Sequence, residues 1–138
     1  MRLTFRSTTS RSAGLLLAAA GALGLDPIAL PFGAFAVTEL DIGTACDFLR
    51  SVMTESTEAE AELLAFAFIP GDDGRAALAI LRGKFLLGTV GLHPAGQGRF
   101  IAFEMNIGSG PDGPITRQDL LRLASDWAES ASITLYAF

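Results

Sequence analysis

At 138 residues, half of them hydrophobic, the chain is long enough to bury a core and too apolar to remain disordered. Its net charge of -5 argues against nucleic acid as a partner, because neutralising phosphates takes clustered Lys and Arg. One cysteine, Cys46, and one histidine, His93, exclude an internal disulfide and any His/Cys metal set, although a carboxylate site stays open.

The charge is unevenly placed. Arg2, Arg6 and Arg11 precede the first acidic residue, Asp26, which leaves 7 of the 10 basic residues and all 15 acidic ones from Asp26 onward, a net of -8. Residues 1–12 therefore read as a flexible basic arm, and 13–138 as a single domain. The following run, AGLLLAAAGALGL over 13–25, has two readings. As a buried helix it starts near Ser10 or Ser12 and stops around Gly24. As the apolar part of a secretory signal it ends at Ala34-Phe35-Ala36, with cleavage removing residues 1–36. The helix is preferred, because Asp26, Pro27 and further apolar residues separate the run from that cleavage site by an unusual distance. The run is too short to span a bilayer.

From Pro31 the pattern alternates, and 33–40 reads as a strand closed by the turn Asp41-Ile42-Gly43. Residues 45–54 place Cys46, Phe48, Arg50 and Val52 on one side, with Asp47, Leu49, Ser51 and Met53 on the other. That is compatible with a strand or a short helix, and the alternation favours the strand. Four glutamates, Glu55, Glu58, Glu60 and Glu62, mark a solvated loop. LLAFAFI over 63–69 is a strand apolar on both faces. Pro70, Gly71 and Gly74 bracket Asp72 and Asp73, a turn whose acidic residues suit a helix N-terminus. Residues 75–87 then read as a short apolar helix, with Leu78, Leu81 and Phe85 on one side and Gly88 as its stop. Its apolar character runs further round than one core-facing stripe needs, so part of it is expected to meet something beyond its own domain.

Residues 89–93 form a short strand, 94–99 a loop, and 100–107 a half-buried strand alternating Ile101, Phe103, Met105 and Ile107 against Phe100, Ala102, Glu104 and Asn106. GSGPDGP over 108–114 reads as a loop. Thr116 caps a final helix with the stripe Leu120, Leu123, Trp127 and Ala131, leaving Arg117, Arg122, Asp126 and Glu129 in water. The expected class is α+β, an antiparallel sheet with helices packed on it in the order α-β-β-β-α-β-β-α.

Little in this pattern is chemical. His93 has no hydroxyl or thiol near it in sequence and reads as a hydrogen-bonded loop residue. Cys46 reads as a buried thiol, Trp127 as core, and Gly108-Ser109-Gly110 lacks the lysine of a phosphate cradle. No enzymatic activity, cofactor or metal is expected.

The whole-chain pattern carries more. An opening helix ending in Leu23-Gly24-Leu25, the strands, the segments RAALAILRGKFLLG and TVGLHP, the alternating FIAFEMNI and the closing LLRLASDWAES resemble the class I type III secretion chaperones of the Tir-chaperone family. The resemblance implies a cytoplasmic, virulence-associated homodimer that binds the amino-terminal segment of a cognate secreted effector and keeps it soluble for export. It also implies contact with the secretion ATPase and no association with membrane. An extended client would lie in apolar grooves and add hydrogen bonds at an edge strand, with Phe35, Val37, Phe48, Val52, Leu64, Phe66 and Phe68 as groove candidates. The family's dimer seam on the middle helix carries over to Leu78, Leu81, Arg82 and Phe85, with 89–92 beside it. Two other readings stand next to this one: an exported small binding protein with its first 36 residues removed, periplasmic or secreted, and a non-enzymatic protein like the bacterial sensory-transduction regulators.

Overall fold

Arg2-Leu3-Thr4-Phe5-Arg6 sets polar and apolar residues in alternation, and it forms a strand, β1 (Arg2–Arg6), with Leu3 and Phe5 fully buried. The flexible arm expected over 1–12 is thereby corrected: alternation with a period of two seats two large side chains in the interior, and Ser10 already belongs to the first helix. The structure, a computed structural model, describes residues 2–6, 10–30, 34–37, 40–54, 64–83 and 85–137. These divide into two compact units, Met1–Ala65 with Arg82–Lys84, and Phe66–Leu81 with Phe85–Phe138, where the sequence suggested one domain.

In the first unit β1 is followed by α1 (Ser10–Ala22), β2 (Ile28–Leu30), β3 (Ala34–Val37) and α2 (Ile42–Thr54). The expected first helix is present. It ends as its sequence suggests, with Gly24 at φ +69, the Leu25 N–H donating to the Ala20 carbonyl at 2.9 Å and the Gly24 N–H to that of Gly21 at 3.2 Å. This paired arrangement satisfies carbonyls that the helix would otherwise leave open. The strand expected over 33–40 is β3, which lies antiparallel to both β1 and β2; residues 31–33 and 38–39 lie outside the described residues.

Residues 45–54 are helical, which corrects the strand reading. Asp41 accepts from the Thr44 N–H at 2.7 Å and the Thr44 hydroxyl at 3.0 Å, and its carbonyl accepts from the Ala45 N–H at 3.0 Å. What resembled a turn is a helix cap. Ala45 and Phe48 are buried at helical spacing, and the Phe48 ring meets Phe5 edge-on with centroids 5.3 Å apart. Cys46, expected to be buried in a strand, is exposed on this helix. The glutamate-rich segment 55–62 lies outside the described residues.

The second unit contains most of β4 (Leu64–Pro70) and β5 (Ala76–Arg82), then β6 (Phe85–Gly96), β7 (Arg99–Ile107), the small pair β8 (Ser109–Gly110) and β9 (Gly113–Pro114), α3 (Arg117–Ser130) and β10 (Thr134–Ala137). Its strands run in the order β10-β7-β6-β5-β4. Residues 75–87 are therefore two strands, and the middle helix is corrected. Burial alternates along β5, with Ala76, Leu78 and Ile80 inside and Ala77, Ala79 and Leu81 half-exposed between them. Gly83, at φ +55, turns the chain back into β6, a conformation open to glycine but costly inside a helix. Asp72 and Asp73 belong to the turn between β4 and β5, where an Asp73 carboxylate oxygen accepts from the Arg75 N–H at 3.1 Å and the Gly71 N–H donates to the Arg75 carbonyl at 2.7 Å. The loop expected over 108–114 includes the short ladder β8–β9.

The closing helix is present where its cap places it. The Thr116 hydroxyl accepts from the Asp119 N–H at 3.1 Å. Leu120, Ala124, Trp127 and Ala128 form the buried stripe, with Leu123 and Ala131 half-buried at its margin. This helix packs closely on β6: a side chain at Gly88 would stand 2.7 Å from Leu120 and 2.6 Å from the Asn106 carbonyl oxygen. Trp127 stacks on Phe68 at 5.6 Å, and Phe68 in turn meets Phe100 at 5.9 Å. The tail then returns as β10, parallel to β7. The class is α+β, with three helices among the described residues and a mostly antiparallel sheet.

Candidate interaction surface

Phe100 points to the helix side of the sheet, where it meets Phe68, so Ile101 points to the other side. Residues paired across strands share a face. His93 pairs with Ile101 on one flank and Tyr136 pairs with it on the other, which sets Tyr136, Ile101 and His93 in a row across β10, β7 and β6. This face carries no helix from its own unit's α3, which occupies the opposite side through Leu120 and Trp127.

Phe103 joins the row through a fault in the ladder. The register shifts between Gly91 and Leu92, where Gly91 faces Glu104 and Leu92 faces Ala102, so Phe103 is the unpaired extra residue of a bulge. A bulge re-aims a side chain, and here the ring lies over the backbone of Gly91: a side chain at that glycine would stand 3.0 Å from the ring. His93 meets the ring edge-on at 6.3 Å. From the β4–β5 turn, the Arg75 guanidinium lies 5.9 Å from the ring centroid, while its Nε stands 3.4 Å from the Asp73 carboxylate. Phe103 nevertheless remains 45% exposed. Beyond it, the Asn106 amide donates to the Thr89 hydroxyl at 3.4 Å.

An exposed aromatic ring flanked by a guanidinium and an imidazole presents groups that protein contacts use. Aromatic and Arg side chains are enriched at the centres of protein interfaces. Asp41 lies in the first unit. The hydrogen bonds from the Thr44 N–H and hydroxyl hold its carboxyl below the usual carboxylate range, which a helix cap explains without catalysis. Among the described residues no group of three His, Cys, Asp or Glu side chains comes together as a metal ligand set, and no helix is long and apolar enough to cross a membrane.

The residues proposed from the sequence lie elsewhere. Val37, Phe48, Leu64 and Phe66 are buried, and Phe68 is half-buried in its stack with Trp127 and Phe100, so they build the interior and do not line an open groove. The side chains of Phe35 and Val52 lie outside the described residues. The seam assigned to a middle helix is corrected with that helix: Leu78 is buried in β5, Leu81 is half-buried, Arg82 is exposed at the strand's end and Phe85 opens β6. His93 is a strand residue, not a loop residue. The alternation along 100–107 groups Phe103 with Ile101, Met105 and Ile107, and nothing in it announces a bulge.

No family model, no curated protein and no solved structure matches the chain.

Proposed function

We propose that the protein works by holding another polypeptide, not by catalysis, and that the client rests on the Phe103 face of the second unit. The observation that carries this reading is the exposed Phe103 ring, raised by a bulge between Arg75 and His93. A large aromatic kept half in water on a sheet face gains most by being covered. The polar rim of Arg75, Asp73, Glu104 and Asn106 suits a contact that forms and dissolves, since charged residues ringing an aromatic centre let the surface stay solvated when empty.

The most specific form of the proposal is the one the resemblance implied: a cytoplasmic chaperone whose client is the amino-terminal segment of a secreted effector. That form rests on the resemblance alone; the groove and helical seam first drawn for it are replaced by the Phe103 face. Co-purification from the cells that produce the protein tests both levels. A stoichiometric partner lost on Phe103→Asp, and retained on Arg122→Glu at the solvent side of α3, is the expected result. A secreted partner bound through its amino-terminal region would give the chaperone form. Equal recovery with both variants would remove the Phe103 face from the proposal.

A further inference from the structure

The outer edge of the second unit's sheet is built to accept a strand. β10 pairs with β7 in the unbroken register Thr134↔Arg99 to Ala137↔Ala102, and the Thr134 N–H donates to the Gly98 carbonyl at 2.9 Å. In a parallel ladder alternate residues make the bonds to one neighbour. Thr134 and Tyr136 therefore turn their backbone groups towards β7, while Leu135 and Ala137 turn an N–H and a C=O outward. Among the described residues nothing pairs with that side.

Sheet edges are ordinarily guarded by charges, prolines, bulges or shortness. Over 131–137 the sequence reads ASITLYA, without a charge or a proline, and the ladder has no bulge, so the edge is guarded only by its length. Tyr136 is 48% exposed on it.

We propose that two copies of the chain join edge to edge through β10, antiparallel about a two-fold axis at Tyr136. Leu135 then exchanges both backbone bonds with Ala137 of the second copy, and Ala137 exchanges both with its Leu135, so every outward group of the edge is met. Tyr136 faces its own counterpart as a non-hydrogen-bonded pair, the closely spaced kind of cross-strand contact that aromatic residues favour. The occupant is a second copy because the edge is complementary to itself. Charge does not oppose the pairing at the seam: the chain carries a net -5, but this strand has no charge, so no like charges stand opposite one another across the axis. The seam is a strand edge whose Tyr136 borders the Phe103 face through Ile101, and its backbone pairing needs neither the Phe103 ring nor a client.

Sedimentation velocity on the full chain over a micromolar concentration series tests it. The wild type is expected to dimerise. Ala137→Pro deletes an outward N–H while leaving the bonds to β7, and Tyr136→Lys puts like charges across the axis; each is expected to weaken the dimer about tenfold or more with an unchanged circular dichroism spectrum. As a second measurement, Tyr136→Cys with Cys46→Ser should form a disulfide-linked dimer on mild oxidation, because the Cα spacing of such a pair, about 4.5 Å, lies within disulfide range. Leu17→Cys in the same background should not. A wild type that stays monomeric throughout the series overturns the proposal. So does a dimer insensitive to Ala137→Pro, or absence of the cross-link at position 136, which decides the matter if the proline variant misfolds.

Discussion

Asp41 shows how one side chain decides an element. Its carboxylate closes the first turn of α2 by accepting from the Thr44 N–H and hydroxyl, and these bonds favour the ionised form and lower its pKa from the ordinary value of 3.8. A group whose folded pKa is depressed contributes stability above its unfolded pKa and loses it as pH falls through the folded one. The melting temperature of the wild type should therefore exceed that of Asp41→Ala at neutral pH. The gap should close as the pH drops below the ordinary carboxylate range, where both proteins lack the charged cap; thermal melts of the pair across pH check this. The same residue marks a limit of sequence reading. An Asp three positions before a Thr serves a turn and a helix cap alike, and only the spacing of the apolar residues downstream tells them apart. Phe103 marks another, because a one-residue bulge re-aims a side chain without leaving a trace in the alternation.

Elements whose two ends and middle agree were legible. α3 has its cap at Thr116 and a buried stripe that includes Leu120 and Trp127; α1 has its stop at Gly24; β4 and β7 have dense or alternating apolar runs. The two inverted readings arose where small residues satisfy both periods. In β5 the alanines at 76, 77 and 79 carry little weight, so Leu78, Leu81 and Phe85 suggest a helix while Leu78 and Ile80 suggest a strand. Gly83 was the discriminating residue: it costs about 1 kcal/mol in a helix interior and nothing in a hairpin turn. In α2 the opposite error has the same source, since Ala45, Phe48, Leu49 and Val52 fit a helical spacing as well as Cys46, Phe48, Arg50 and Val52 fit an alternating one. At this scale the strongest expectation concerns how α3 is held. Trp127 is buried against Phe68, and its indole N–H has no acceptor among the described residues. Trp127→Ala should cost roughly 3–5 kcal/mol in urea unfolding. Trp127→Phe, which keeps a ring on Phe68 and discards the unpartnered N–H, should cost markedly less.

For the molecule as a whole, the class of fold was readable and the proposed contact surface was not. Of the apolar residues counted from the sequence as groove candidates, Val37, Phe48, Leu64 and Phe66 are buried in the interior, and hydrophobicity alone does not separate a core residue from a contact residue. What distinguishes Phe103 is its exposure beside Arg75 and His93, a property of register and bulge. The proposed function stands on that ring touching a client. A photoreactive phenylalanine analogue placed at position 103, irradiated in the cells that make the protein, tests it most directly, with the same analogue at position 122 as the reference. A covalent adduct to a distinct polypeptide at 103 and none at 122 is the predicted result; no adduct at 103, or the same adducts at both positions, would contradict it.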